Sequence, residues 1–259
     1  MAKSTQQRAH RAGMPAERSV VDQTTHVPQR AALAEAQVGT GGRTYRILRT
    51  DEFDAKDKAM PVPLFGARFA PFGDEFAGEA RKAAKLALAD APVADVADVG
   101  ALIKTLPSKT AMVRHQPRIT VDPESSRVAE ENRNVRLRAF LYAASREADN
   151  DFHLIIGDDP NSEPHVYMTS EISGLPPEGS ASFVTLKSAR DEYKGFFGDN
   201  LPNASYDFYD PPIPIEIEGS LFFDMSHANG RSPGPPSLHP DMPTIWEIHP
   251  VSKIVFEPQ

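Results

Sequence analysis

The chain has 259 residues, 40% of them hydrophobic, and no cysteine; the length suffices for one ordinary domain plus accessory segments. Disulfides, thiolate zinc sites, iron–sulfur clusters and cysteine nucleophiles are therefore excluded, and any metal must be held by His, Asp, Glu or carbonyl oxygens. The formal net charge of −8 is unevenly shared: residues 130–259 carry 9 Lys+Arg against 21 Asp+Glu, and the preceding residues 19 against 15, so nucleic acid is a disfavoured partner for the acidic C-terminal half.

Residues 1–44 are rich in Ala, Gln, Arg, Thr and Gly and bury too little apolar surface to offset the entropy of ordering. They read as a disordered or extended basic tail with one short helix within Pro28–Val38. The start is polar and lacks the apolar stretch of a secretory signal, and no segment is long and apolar enough for a membrane span. The expected location is cytoplasmic.

Residues 45–106 read as a small helical accessory region. Arg43–Arg49 allows a short strand; Asp74 then caps a helix with Phe76, Ala80, Ala83, Ala84, Ala87 and Leu88 on its apolar side and Arg81, Lys82 and Lys85 displayed outward. A second helix is expected from Val93 to Leu106, where Pro107 stops it. Residues 107–132, with Pro107, Pro117 and Pro123, read as an extended linker.

From residue 133 the texture changes to strands. Asn134–Arg146 alternates Val135, Leu137, Ala139 and Leu141 with Arg136, Arg138, Phe140 and Tyr142, the period of a half-buried strand. Asp151–Gly157 and His165–Ile172 supply two more strands, joined by turns at Asp149-Asn150 and around Pro160. Ser182 can cap a helix carrying Phe183, Leu186, Tyr193 and Phe197 along one stripe and ending at Gly198. Pro214–Met225 and Thr244–Glu257 complete the pattern as strands.

Residues 133–259 thus read as three strands, a helix and two strands. That is the order of the OB-fold, a five-stranded Greek-key barrel. The fold class expected is mainly β with helical N-terminal additions and an OB-like barrel (β-β-β-α-β-β); a different small barrel or an open α+β sheet has the same element order. The loop from Ala228 to Pro243 contains five prolines and His239, and in OB-folds the loop between strands 4 and 5 walls the ligand groove.

Three histidines lie beside carboxylates: Asp151 with His153, Asp224 with His227, and Glu247 with His249. Residues two apart in a strand share a face, so the first and third pairs can each orient an imidazole against a carboxylate. Asp224 and His227 can meet only where the strand has ended or bulged. These six residues are the candidate catalytic set, and His153, His227 and His249 the candidate metal ligands. No cofactor is expected beyond a divalent metal that these histidines could hold. The plainer reading makes them buried or edge histidines that tie strand ends to loops, since no spacing matches a metal signature such as H-E-x-x-H. Tyr206, Phe208 and Tyr209 could stack on a sugar or base, but the interleaved Asp207 and Asp210 favour a packed loop.

There is no Walker A loop, no G-x-G-x-x-G, no G-x-S-x-G elbow and no kinase set. Three functions stay open: an acidic OB-like binding or interaction domain for a protein or small ligand; a metal-dependent hydrolase, phosphodiesterase- or nuclease-like, using the His/carboxylate cluster; and a structural component of a larger assembly.

The segments E-A-D-N-D-F-H-L-I-I, G-S-L-F-F-D-M-S-H and W-E-I-H-P-V, in this order over roughly residues 128–257, resemble a family of uncharacterised bacterial proteins. The resemblance implies a small OB-like β-barrel and supplies no established activity. Carried over residue by residue, it points to Asp151, His153, Asp224, His227, Glu247 and His249.

Overall fold

A computed structural model describes residues 34–39, 42–54, 73–228, 230 and 232–258. Of the tail expected over residues 1–44, residues 1–33, 40 and 41 lie outside the described residues, and Ala34–Val38 is a strand rather than part of a disordered tail. The architecture is mainly β, with eight strands in one sheet: β1 (Ala34–Val38), β2 (Tyr45–Arg49), β3 (Val93–Asp95), β4 (Asn134–Arg146), β5 (Phe152–Gly157), β6 (Tyr167–Ile172), β7 (Asp207–Phe223) and β8 (Trp246–Phe256). Helices α1 (Lys82–Lys85), α2 (Val99–Ile103) and α3 (Lys109–Val113) are short; α4 (Phe183–Phe197) is the long one. Among the described residues no helix is long and apolar enough to cross a membrane.

The sheet order is β1-β2-β7-β8-β6-β5-β4-β3, and β7 also pairs with β4. The 17-residue β7 makes this double pairing possible. Its register with β4 runs from Asn134↔Ser220 to Ala144↔Asp207, and with β8 from Ile215↔Phe256 to Phe223↔Trp246. At Gly219 the register with β8 shifts, and a Cβ there would stand 2.5 Å from the Pro250 carbonyl oxygen; only glycine lets the two backbones approach so closely.

Several elements differ from the sequence reading. Ala34–Val38, expected within a helix, is a strand paired antiparallel with β2, because sheet contacts override the helix propensity of Ala, Glu and Gln. Val93–Asp95, expected to begin a helix, pairs parallel with Asn134–Arg136. The helix starts later, where the Asp98 side chain accepts from the Ala101 amide. The expected linker contains α3, capped by Ser108 through the Ala111 amide. The helix after Asp74 shrinks to the four residues of α1, and two of its expected outward cations are buried: Arg81 at 1% exposure and Lys85 at 7%.

Each buried cation is held by opposite charge or carbonyls. Arg81 forms a fork on Glu131, with Nη1–Oε1 at 2.6 Å and Nη2–Oε2 at 2.8 Å. Arg127 donates to the carbonyls of Ala84, Ala87, Leu221 and His249. Arg190 of α4 donates to Asp74 and to the Ile172 and Ser173 carbonyls, with its guanidinium 4.5 Å from the Phe152 ring centre. These arginines stitch the N-terminal segments to the strands.

β5 and β6 are buried on both faces, and β4, β7 and β8 over part of their length. One face carries the larger core, with Leu137, Leu141, Phe152, Leu154, Ile172, Trp246 and Ile248, covered by Tyr193 and Phe197 of α4. The other carries a smaller apolar group of Tyr142, Ile155, Tyr167, Tyr206, Phe208, Leu238 and Met242. β7 begins at Asp207 rather than at the expected Pro214, because this segment pairs with β2, so Phe208 and Tyr209 lie in the strand and Tyr206 just before it, and all three are packed. Strand alternation sends His153 to the second face, with Ile155.

Candidate metal centre

On that second face the register lines up polar residues across neighbouring strands. Ser145 of β4 is opposite His153 of β5, and His153 is opposite Glu171 of β6. Thr169 of β6 is level with Glu247 of β8. Alternation puts His249 on the same face as Glu247. All six are buried, at 1% exposure or less. Connecting segments bring most of the remaining members: Glu147, Asp149 and Asp151 between β4 and β5, Asp224 and His227 after β7, and Asp54 from the N-terminal half; Lys85 comes from the end of α1.

The ligand atoms fall into overlapping groups, each within 4.8 Å: Asp54/Glu147/His153, Asp151/Glu171/His249, Asp224/His227/Glu247, and His153/Glu171/Glu247. The first three share no residue. The fourth takes one residue from each and so stands at their centre.

His153 donates or accepts at Nδ1, with Glu147 Oε1 at 2.7 Å and the Tyr206 hydroxyl at 3.2 Å, while its buried Nε2 has no hydrogen-bond partner. A carboxylate on one ring nitrogen fixes the tautomer and orients the other nitrogen toward a metal. Burial opposes the charged imidazole, but the negative charges of Glu147 and Glu171 outweigh it and raise the His153 pKa to about 10.

His249 lies between two carboxylates: Nδ1 is 2.6 Å from Glu171 Oε2 and Nε2 is 3.5 Å from Asp151 Oδ2. Neither contact has the alignment of a hydrogen bond. Burial opposes its charge as well, and Glu171 outweighs it, so its pKa is also raised. Asp151 Oδ1 accepts from the Gly174 amide at 2.7 Å, which leaves Oδ2 turned into the cluster.

Lys85 places its ammonium 2.9 Å from Asp149 Oδ2, 3.6 Å from Glu171 Oε2 and 3.7 Å from Asp151 Oδ2. Burial disfavours that charge, but Glu171, Asp149 and Asp151 hold the Lys85 pKa well above its usual value. At Glu171 burial likewise works against ionisation, and His249 and Lys85 override it, keeping the carboxylate well below its usual range. Asp151 goes the other way, pushed up by burial and by Asp149.

The six sequence candidates lie in one connected network, with partners that differ from the sequence pairing. Asp151 faces His249 rather than His153. Glu247 lies 3.7 Å from His249, farther than Glu171 does. Asp224 and His227 do meet, at 2.6 Å, because β7 ends at Phe223 and Met225–His227 form a 3-10 turn. No ligand group among the described residues contains two histidines. His239 stands apart, with Nε2 2.8 Å from the Gly234 carbonyl.

The sequence reading did not place Glu147, Glu171 or Asp54 at the site, and it read Lys85 as an outward helix cation and Tyr206 as part of a packed loop. Glu147 opens the E-x-D-N-D-F-H segment, and the other acids lack any local signal. Asp54 reaches His227 Nε2 at 3.4 Å across 173 residues and accepts from the Gly234 amide at 2.7 Å. A cavity of about 210 Å³ lined by Arg81, Lys85, Glu147, Asp149, Phe222 and Asp224 borders the cluster. No family model, curated protein or solved structure matches the chain.

Proposed function

We propose that residues 133–259 form an OB-like domain that binds a divalent cation at His153, Glu171 and Glu247. The pairing of β4, β5, β6, β8 and β7, with β7 returning to β4 and α4 between β6 and β7, supports the OB-like reading. In OB-folds, ligands bind on the face of strands 2 and 3, between the loop joining strands 1 and 2 and the loop joining strands 4 and 5. The cluster occupies the corresponding elements: β5 and β6, the turn carrying Glu147 and Asp149, and the loop carrying Asp224 and His227. The likeness to the bacterial family with D-x-D-x-H-L-like, F-F-D-x-x-H-like and E-I-H-P-V-like segments agrees with this, because those segments supply most of the cluster.

The observation that carries the proposal is His153, fully buried, with Glu147 on Nδ1 and a partnerless Nε2 grouped with Glu171 and Glu247. One imidazole and two carboxylates neutralise a divalent charge, and they suit zinc, manganese or iron. Burying so many ionisable groups opposes folding, so their retention on one face speaks for a bound cation. Equilibrium dialysis against Mn²⁺ or Zn²⁺ tests it: bound metal in the wild type, lost in His153→Ala, is the expected result. A wild-type chain that retains neither ion rejects it.

The adjoining cavity favours a second reading, hydrolysis. Solvent entering beside Glu147 and Asp224 would reach the cation, which lowers the pKa of bound water toward about 7. Turnover of ester or phosphate-ester probes that depends on added metal and on His153 tests this reading, and inactivity of the metal-loaded protein toward both leaves the domain a binding module.

A further inference from the structure

Building on the metal-binding reading above, we propose a second divalent-cation site at Asp151, Glu171 and His249, with the Glu171 carboxylate bridging the two cations. Its three ligand atoms lie within 4.8 Å of one another, and Glu171 belongs also to the His153/Glu171/Glu247 group. All three residues are buried, at 1% exposure or less.

The second observation is the imidazole itself. His249 faces a carboxylate oxygen from each ring nitrogen and hydrogen-bonds neither. The ring is fully buried and neither nitrogen has a hydrogen-bond partner, so it has a nitrogen to offer a cation lying between it and a carboxylate. Asp151 is prepared in the same sense, since its Oδ1 is fixed by the Gly174 amide and Oδ2 is left over.

The place already attracts positive charge. Lys85 Nζ approaches the same two oxygens, Asp151 Oδ2 and Glu171 Oε2, at 3.7 and 3.6 Å. One ammonium does not balance the cluster. Among the described residues, the carboxyl groups of Asp54, Glu147, Asp149, Asp151, Glu171, Asp224 and Glu247 gather round this one ammonium and three imidazoles. Two cations sharing a carboxylate form the clamp that holds a water or a substrate oxygen between metals.

Mn²⁺ titration of the full chain tests the proposal, with bound ion counted after dialysis and its electron paramagnetic resonance spectrum recorded. The expected wild-type result is two Mn²⁺ per chain with an exchange-coupled spectrum. Asp151→Asn and, as an independent variant, His249→Gln should each retain one Mn²⁺ with the six-line spectrum of an isolated ion, circular dichroism confirming the fold. If either variant unfolds, wild-type stoichiometry and coupling decide alone. One six-line Mn²⁺ in the wild type, or two that do not couple, overturns the bridged site and leaves the first site standing. No bound Mn²⁺ overturns both.

Discussion

His153 and Glu171 stand directly opposite each other in the antiparallel register of β5 and β6, so backbone pairing alone sets the imidazole and the carboxylate into one ligand group. The site is thereby built on paired strands, which hold ligands more tightly than loops do. Glu147, on the other side of the imidazole, holds the ring in place.

If Nε2 of His153 ligates a cation, metal stabilises the fold by mass action. Mn²⁺ at 100 times its Kd should add about 2.7 kcal/mol, read as a rise in Tm that His153→Ala abolishes. Glu147→Gln, which takes away the carboxylate behind the ring, should weaken binding about 10- to 100-fold. Equal affinity in Glu147→Gln and wild type would show that the Nδ1 contact does not orient the ligand.

Lys85 is the ammonium that three carboxylates share, Asp151 and Glu171 buried and Asp149 half-buried. Replacing it by Met leaves them without that charge, and breaking a buried ion pair costs about 3–5 kcal/mol. Urea unfolding of metal-free Lys85→Met should show a loss of this order, partly restored by Mn²⁺. A loss unchanged by Mn²⁺ would separate Lys85 from the metal centre.

Asp207 gives a pH dependence away from the cluster. Burial pushes its carboxyl up to about 7, against the opposing charge of Arg49. An acid whose folded pKa is raised contributes stability at pH below its ordinary value of 3.8, and that contribution is lost as pH rises through about 7. Between about pH 4 and 7 the Tm of Asp207→Asn should therefore decline less than that of the wild type. Parallel profiles would show that Asp207 titrates normally.

Gly219→Ala places a Cβ against the Pro250 carbonyl, Ile248 Cγ2 at 2.6 Å and Val251 Cα at 3.0 Å. Overpacking of this kind costs about 1–3 kcal/mol. Trp246, the single tryptophan and buried against Phe223, reports the shift in a fluorescence-monitored urea midpoint. An unchanged midpoint would mean that β7 and β8 can separate there at no cost.

Strands with a clear period were legible from sequence. Asn134–Arg146 has the expected bounds, and the strands at 152–157 and 167–172 and the helix at 183–197 fall within a few residues of theirs. The N-terminal half was misread because its elements are defined by what they pair with. Ala34–Val38 has helix-forming residues and becomes a strand only beside β2, and Val93–Asp95 only beside β4. Arg81 and Lys85 look like a solvated helix face until Glu131, Asp149 and Glu171 arrive from 50 to 86 residues away in sequence. At the site, the three histidines and their flanking acids were visible as local pairs. Asp224 and His227 do pair as read, but Glu171 and Asp54 reach His249 and His227 through strand register and loop closure, which leave no mark on nearby residues.

The Lys85 contact changes the meaning of the charge imbalance between the two halves. N-terminal cations are spent on acids of the C-terminal half: Arg46 on Asp210 and Arg49 on Asp207 nearer the surface, and Lys85, inside the molecule, on Asp149, Asp151 and Glu171. A fragment trimmed to residues 133–259 would keep the cluster's strands and lose this internal counterion along with Asp54. Expressed alone, it should resist folding near neutral pH and respond to Mn²⁺ or to added salt far more than the whole chain does.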